Sequence, residues 1–309
     1  MNEFENLISL LESPNKENFS LGLVVAQNYK KEIFEYFGCE LEELEDLWIL
    51  LIKNGLWKPD GKLFDVTELH VQAIGLTEFP ILICSLTKLK ILNLEWNALQ
   101  NLPAQISKLQ NLEELNLTYN RLKQLPVELG ALKKLRNLCL SDNCLKRFPP
   151  QIEVLINLQT LNLADNSLKK LSKKIEKLIN LKHLYLGFNQ LQNIPKEIGK
   201  LTKLKSLYLG FNELQNISIE IGELTKLKIL NLGFNQLQSI PKEIGNIRNL
   251  DDLNLENNQL KNLPVEISFL TNLRLLNIRN NQIPQGEIEN IKKMLPHCNI
   301  LAGFQNERI

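Results

Sequence analysis

The stretch LEELNLTYNRLKQLPVELGALKK, residues 112–134, sets the pattern for most of the chain. Its leucines occupy positions 1, 4, 6, 11, 14, 18 and 21 of the stretch, and Asn120 stands at position 9. The same offsets return every 23 residues, so an asparagine occurs nine times in register: Asn97, Asn120, Asn143, Asn166, Asn189, Asn212, Asn235, Asn258 and Asn281. Since such a unit buries its apolar side chains only against its neighbours, the period predicts an open solenoid.

Ten of these units follow one another in strict register. They begin at Val66, Leu89, Leu112, Leu135, Leu158, Leu181, Leu204, Leu227, Leu250 and Leu273. In each unit the segment LxLxx predicts a short strand with inward-pointing leucines, so the stacked units predict an α/β solenoid with one parallel sheet of about ten to eleven strands. At ~4.8 Å between strands, such a sheet is about 50 Å long.

The asparagine and a proline have different expected roles. The asparagine stands where the chain leaves the strand, and its amide can donate to and accept from backbone groups that the sheet leaves unpaired. A ladder of asparagines through the stack is therefore expected. The proline starts the return segment, where no sheet hydrogen bond is needed. Seven units carry it: Pro80, Pro103, Pro126, Pro149, Pro195, Pro241 and Pro264.

Residues 1–62 do not fit the repeat. Their apolar spacing predicts three helices, around Leu7–Leu11, over Phe19–Phe37 with Gly38 as C-cap, and over Leu41–Lys53. The open end of a solenoid exposes leucines and needs a cover. We therefore expect these helices to form an N-terminal cap, and a small independent interaction module is the alternative.

The other end of the array is expected to be covered in the same way. The repeats occupy residues 63–295, and their apolar pattern fades after Ile283. Gly286–Leu295 and the strand-like segment Asn299–Leu301 are assigned to the cover, which makes residues 296–309 a C-terminal cap.

The unit pattern LxxLxLxxNxLxxLPxxIxxLxx resembles that of bacterial leucine-rich repeat proteins with 23-residue repeats, and it covers about three quarters of the chain. The same unit also occurs in eukaryotic Ras-pathway scaffold proteins. The resemblance implies a right-handed, horseshoe-shaped solenoid whose concave sheet face binds protein partners. On that face the third, fifth, seventh, eighth and tenth residues of each unit are expected to be exposed.

Two groups of aromatic residues fall on that expected face. Three adjacent repeats bring together one patch next to His183: Tyr185, Phe188, Tyr208, Phe211 and Phe234. Aromatic residues are enriched at binding hot spots, but these repeats are nearly identical, so duplicated filler is the alternative interpretation. Trp96 and Tyr119 form a smaller patch, for which solvated surface decoration is the alternative.

Two clusters of charged residues and the few histidines give weaker indications of a functional site. The acidic residues Asp251, Asp252 and Glu256 have no spacing that fixes a metal site, so no metal or other cofactor is expected. A basic rim is interpreted as a solvated edge that could also meet an acidic partner. It comprises Lys123, Lys146, Arg147, Lys169, Lys170, Lys173 and Lys174. With three histidines and no recognisable catalytic motif, no enzymatic activity is expected.

Composition restricts the partner classes. The formal charge is +1, which argues against nucleic-acid binding, and no apolar stretch approaches the ~20 residues of a membrane span. Five scattered cysteines without a CxxC pair and an N-terminus without signal-peptide features favour a cytoplasmic protein, although leaderless export leaves no such mark. The sequence predicts a protein-binding scaffold. Two alternatives stay open: an exported effector that engages host molecules, and a structural spacer whose N-terminal helices bind.

Overall fold

The computed structural model describes residues 3–11, 13, 15–32, 45 and 66–303. The predicted third helix, Leu41–Lys53, lies outside these residues except for Glu45. The predicted end of the second helix, residues 33–37, and its predicted C-cap Gly38 also lie outside them. Residues 66–303 form one continuous stack of strands and return segments.

A single parallel sheet of eleven strands runs through residues 66–303. The strands are β1 (Glu68–His70), β2 (Ile91–Asn93), β3 (Glu114–Asn116), β4 (Asn137–Cys139), β5 (Thr160–Asn162), β6 (His183–Tyr185), β7 (Ser206–Tyr208), β8 (Ile229–Asn231), β9 (Asp252–Asn254), β10 (Leu275–Asn277) and β11 (Asn299–Leu301). They lie side by side in chain order, and the sheet is open. The predicted solenoid with ten to eleven parallel strands is confirmed.

The register of the sheet follows the sequence period. Leu115 of β3 pairs with Leu138 of β4, 23 residues further along the chain. At the last step Leu276 pairs with Ile300, which is 24 residues further along. The central leucine of each strand from β1 to β10 is at most 1% exposed, so these leucines form one continuous row of the core. The flanking strand residues face outwards because side chains alternate along a strand.

Short 3₁₀ helices form the layer opposite the sheet. Their bounds are Ile81–Ser85, Ala104–Lys108, Val127–Ala131, Pro150–Val154, Lys173–Lys177, Lys196–Lys200, Ile219–Glu223, Lys242–Asn246 and Val265–Phe269. A proline or a serine precedes each of them with an extended backbone, as at Pro103 (φ −75°, ψ 154°) and Ser218 (φ −64°, ψ 144°). Proline fits this position because its ring fixes φ and the helix start needs no donor there.

The asparagines tie each repeat to the one before it. The Asn189 side chain donates from Nδ2 to the carbonyl oxygens of Leu163 (2.9 Å), Leu186 (3.2 Å) and Gly187 (3.1 Å). Its Oδ1 accepts from the Leu168 amide at 2.9 Å. All nine asparagines make the corresponding bonds to the preceding repeat. Backbone groups that the turn withdraws from the sheet are thereby paired inside the protein.

Helices cover both ends of the repeat core. At the N-terminal end, α1 (Glu3–Leu11) and α2 (Lys16–Ala26) bury Leu11 and Phe19 in a core that is continuous with the first strands, and a 3₁₀ turn (Gln27–Tyr29) follows. Helix α2 begins three residues before the predicted Phe19, because the Asn15 side chain accepts from the amides of residues 17 and 18. It ends at Ala26, well before the predicted Phe37. At the other end, α3 (Gln285–Met294) buries Ile288 and Ile291.

Candidate binding face of the sheet

The eighth residue of every repeat has a left-handed backbone, with φ between 51° and 57°. These ten residues are Ala73, Trp96, Tyr119, Asp142, Asp165, Phe188, Phe211, Phe234, Asn257 and Asn280. The left-handed residue turns the chain out of the strand and is followed by the asparagine of the ladder in nine repeats and by Ile74 in the first. This conformation costs roughly 1–2 kcal/mol for most side chains and least for asparagine, aspartate and glycine. Five bulky aromatic residues therefore occupy positions that disfavour them.

Three of these aromatic residues form one exposed stack, named here the phenyl column: Phe188, Phe211 and Phe234. The ring centroids of Phe188 and Phe211 are 4.1 Å apart, and those of Phe211 and Phe234 are 4.0 Å apart, with 9° between the ring planes in both pairs. The rings stack because equivalent residues of neighbouring repeats lie about one strand spacing, ~4.8 Å, apart. The three side chains remain 52%, 42% and 37% exposed.

A second stack lies at the fifth position of two of the same repeats. The rings of Tyr185 and Tyr208 are 4.9 Å apart with 13° between their planes, and both residues are half-buried. Burial, followed by the neighbouring Tyr185 and the charge of Asp252, raises the pKa of the Tyr208 hydroxyl. The phenyl column and this tyrosine pair together are the aromatic face. The structure thus places all five aromatic residues of the predicted patch on three adjacent repeats.

His183 borders the aromatic face at the third position of its repeat. Its Nδ1 lies 3.2 Å from the Ser206 hydroxyl. Burial and then the charges of Lys205 and Lys182 lower the pKa of His183. The neutral imidazole is therefore favoured, which suits His183 to hydrogen bonding rather than to ion pairing.

The seventh position differs from the expectation that it is exposed. In the three aromatic repeats this position is Gly187, Gly210 and Gly233, and all three glycines are buried. A Cβ atom on Gly210 would lie 2.8 Å from Asn231 Oδ1. The seventh position of these three repeats thus provides backbone and no side chain beside the exposed rings.

The smaller predicted patch is also a stack. The rings of Trp96 and Tyr119 have centroids 3.8 Å apart and an angle of 17° between their planes, and they are 56% and 41% exposed. Next to them at the eighth position come Asp142 and Asp165, named here the aspartate pair. The charge of Asp142, close to the Tyr119 hydroxyl, is the main cause that raises the pKa of Tyr119.

The remaining candidate sites show little sign of chemistry. Within the described residues no group of His, Cys, Asp or Glu side chains could hold a metal ion. Burial raises the pKa of the Cys84 thiol to about 12, which removes it as a nucleophile near neutral pH. In the predicted basic rim, Lys174 is paired with Glu153 at 3.5 Å. No helix in the described part of the chain is long and apolar enough to span a bilayer.

Comparison with protein families matches two repeat models to this chain. The model described as a leucine-rich repeat region matches residues 127–239, and the model described as leucine rich repeat matches residues 86–150 and 222–283. The two models together reach from β2 to β10, the last strand but one of the sheet. A comparison of the sequence with curated proteins found no match.

Comparison with solved structures also finds similarity to leucine-rich repeat proteins. A leucine-rich repeat protein of Leptospira interrogans is 36% identical with a TM-score of 0.72, and the alignment covers 77% of this chain and 67% of that one. An internalin from Listeria monocytogenes is 18% identical with a TM-score of 0.62, over 85% of this chain and 91% of that one, and shows the fold alone. The ectodomain of the Arabidopsis thaliana receptor kinase GASSHO1/SCHENGEN3, solved in complex with Casparian Strip Integrity Factor 2, is 28% identical with a TM-score of 0.55. That alignment covers 78% of this chain and 36% of the ectodomain.

Proposed function

The chain belongs to the bacterial leucine-rich repeat proteins, and on that premise we propose that it is a non-catalytic module that binds a protein partner on its aromatic face. Solenoids use their extended repeat surfaces for binding. The related plant ectodomain is described as a complex with an integrity factor, so a similar scaffold holds a partner there.

The phenyl column carries this proposal. Its rings are exposed, and they stand on left-handed backbone where asparagine is more favourable. Asn257 and Asn280 occupy the same position in later repeats, so the fold itself does not require an aromatic side chain there. The phenyl column therefore costs backbone conformational energy and buries no part of the core. Contact with a partner would explain why these aromatic residues are present. Stacked rings also lose little entropy on binding because their neighbours already order them.

The test is affinity capture from the lysate of source cells, with the wild-type protein and a Tyr208→Ala/Phe211→Ala variant as baits. We expect a protein that the wild type retains and the variant loses, identified by mass spectrometry. The melting temperature of the variant should stay near that of the wild type, because alanine meets the same backbone strain as phenylalanine at residue 211.

Phe269→Ala is the matched control. Phe269 is 52% exposed, as Phe188 is, but it ends a 3₁₀ helix in the opposite layer. The control should retain the same partner as the wild type. Identical captures by all three baits would refute the aromatic face as the binding site and direct attention to α1 and α2.

A further inference from the structure

The exposed sheet face is acidic, although the whole chain has a formal charge of +1. At positions 3, 5, 7, 8 and 10, the ten repeats contain eight carboxylates and two basic residues, Arg121 and Arg279. The eight are Glu68, Glu95, Glu114, Asp142, Asp165, Glu213, Asp252 and Glu256. Basic residues border this face at position 2, ahead of the strands, as with Lys182, Lys205 and Lys228. The carboxylates are therefore concentrated on and beyond the strands, on the side of the aromatic stacks.

The aspartate pair interrupts the row of aromatic residues at the eighth position. The Trp96–Tyr119 stack precedes it and the phenyl column follows it. Asp142 interacts with the Tyr119 and Ser141 hydroxyls and with the Asp165 carboxyl. Burial and then the Asp165 charge raise the pKa of Asp142. Within residues 66–303 no lysine or arginine forms a salt bridge with either aspartate. Two neighbouring carboxylates thus lack a cation from this part of the chain.

A second carboxylate that forms no salt bridge with a lysine or arginine of residues 66–303 lies at the far end of the phenyl column. Glu256 is only 9% exposed, and its Oε2 accepts from Asn277 Nδ2 at 3.0 Å. Its Oε1 is buried and has no hydrogen-bond partner among the described residues. A buried carboxylate oxygen without a donor is costly, because it has given up water and gained no replacement. Arg279 occupies the same position in the next repeat and forms no salt bridge with Glu256, so a basic partner residue beside Glu256 would offset this cost through its charge.

We infer that the partner contributes an extended, basic peptide segment, with an arginine or lysine over the aspartate pair and apolar side chains against the phenyl column. This inference rests on the proposed function and specifies the chemistry of its ligand. A cation between Tyr119 and Phe188 would meet carboxylates and aromatic rings together, an arrangement that attracts arginine in particular.

The geometry also predicts the spacing of the basic residues. The repeats of Asp165 and Glu256 are four strands apart, which corresponds to about 19 Å at ~4.8 Å per strand. An extended peptide covers that distance in about six residues. The ligand is therefore expected to carry two basic residues about six positions apart with apolar residues between them.

The experiment measures fluorescence anisotropy with two labelled synthetic peptides on the full chain. One peptide has two arginines six positions apart with leucine and phenylalanine between them, and the other has glutamate in place of each arginine. We expect the arginine peptide to bind at least about tenfold more tightly, and Asp142→Asn/Asp165→Asn to remove about tenfold of that affinity. Asparagine keeps the shape of aspartate and tolerates the left-handed backbone, so the variant should fold.

The matched control is Glu128→Gln/Glu266→Gln, which removes two carboxylates from the 3₁₀ layer and leaves the sheet face unchanged. Its affinity for the arginine peptide should equal that of the wild type. Equal affinity of the wild type for both peptides, no binding of either, or an equal loss in the control would overturn the inference.

The failure of this inference can be told apart from the failure of the proposed function. For that purpose the Asp142→Asn/Asp165→Asn variant also serves as a bait in the lysate capture. One outcome is a partner that this variant retains and the Tyr208→Ala/Phe211→Ala variant loses. That outcome would support the aromatic face as the binding site and would overturn the inference that the ligand is basic. A partner lost by both variants supports the two proposals together.

Discussion

At the scale of single residues, two adjacent positions form the joint of every repeat after the first. The eighth residue takes the left-handed backbone, and the ninth is the asparagine whose amide reaches the preceding repeat. The first sets the direction of the chain, and the second pairs the backbone groups that this change of direction leaves without partners. The joint therefore carries the exposed aromatic rings and also links each repeat to the preceding one by hydrogen bonds.

Replacing one asparagine of the ladder tests its structural role. Asn189→Ala removes bonds to the Leu163 carbonyl and the Leu168 amide, and leaves both groups inside the protein. We expect a loss of about 1–3 kcal/mol in the free energy of unfolding, seen as a melting temperature lower by several degrees. Asn193→Ala, at an exposed position of the same repeat, is the control. A control that falls as far as Asn189→Ala would contradict the prediction.

The aspartate pair gives a pH-dependent prediction. Because the native state raises the pKa of Asp142, ionisation of this group destabilises the fold as the pH rises through that pKa. Asp142→Asn should therefore be more stable than the wild type at pH 7, by about 0.2–1 kcal/mol as for adjacent like charges in a sheet. The gain should vanish below about pH 4, where aspartate is protonated in the folded and unfolded states.

Thermal unfolding at pH 7 and at pH 3 checks this sign. Asp251→Asn serves as the control, because Asp251 already pairs with Arg274 at 3.2 Å and should gain nothing. A gain for Asp142→Asn that is equally large at pH 3 would assign the effect to the backbone preference of asparagine and not to charge.

At the scale of elements, the spacing between 3₁₀ helices limits which side chains they can carry. Gly199, Gly222 and Gly245 lie in three successive helices of the return layer. A Cβ atom on Gly245 would lie 2.5 Å from the Glu266 carbonyl oxygen and 2.9 Å from Glu266 Cβ. The neighbour there is backbone and cannot rotate away, so these glycines are required by the close approach of adjacent repeats.

Gly245→Ala should therefore destabilise the protein by about 1–3 kcal/mol, the usual cost of overpacking. Gly286→Ala is the matched control, because a Cβ atom there has no neighbour within 4 Å and the residue lies in α3. The control should unfold at the wild-type temperature or slightly above it. Equal melting temperatures of the two variants would show that the 3₁₀ layer can shift to accommodate the added Cβ atom, which would contradict the prediction.

The sequence predicts the elements well because each depends on residues within one repeat. The inward leucines of β1 to β10, the prolines before the 3₁₀ helices and the C-terminal α3 all follow from local pattern. The site is predicted less completely. The positions of Tyr185 and Phe188 follow from the period, but the left-handed backbone at Phe188 and the buried Gly187 do not. These features depend on the spacing between repeats. Asn257 and Asn280 at the eighth position were the available signal for the left-handed conformation.

At the scale of the whole molecule, the stack is a linear chain of neighbours whose ends are held by helices. Each strand pairs only with the strands beside it, so the stability of one repeat depends directly on the next. α1 and α2 continue the core at one end, and α3 and β11 close it at the other. A defect in a cap should therefore spread inwards by a few repeats and then fade, whereas a globular core would respond as a whole.

Ile291→Ala tests this one-dimensional behaviour. Ile291 of α3 is 1% exposed, so the substitution leaves a cavity that costs about 2–5 kcal/mol locally. Amide hydrogen exchange should become faster in β9, β10 and β11 and stay unchanged in β2 to β4, because nearest-neighbour coupling weakens with each repeat. Lys292→Ala, at an exposed neighbouring position, should alter no strand. Faster exchange spread evenly over all eleven strands would show a single cooperative unit, in which the aromatic face and the caps could not be varied independently.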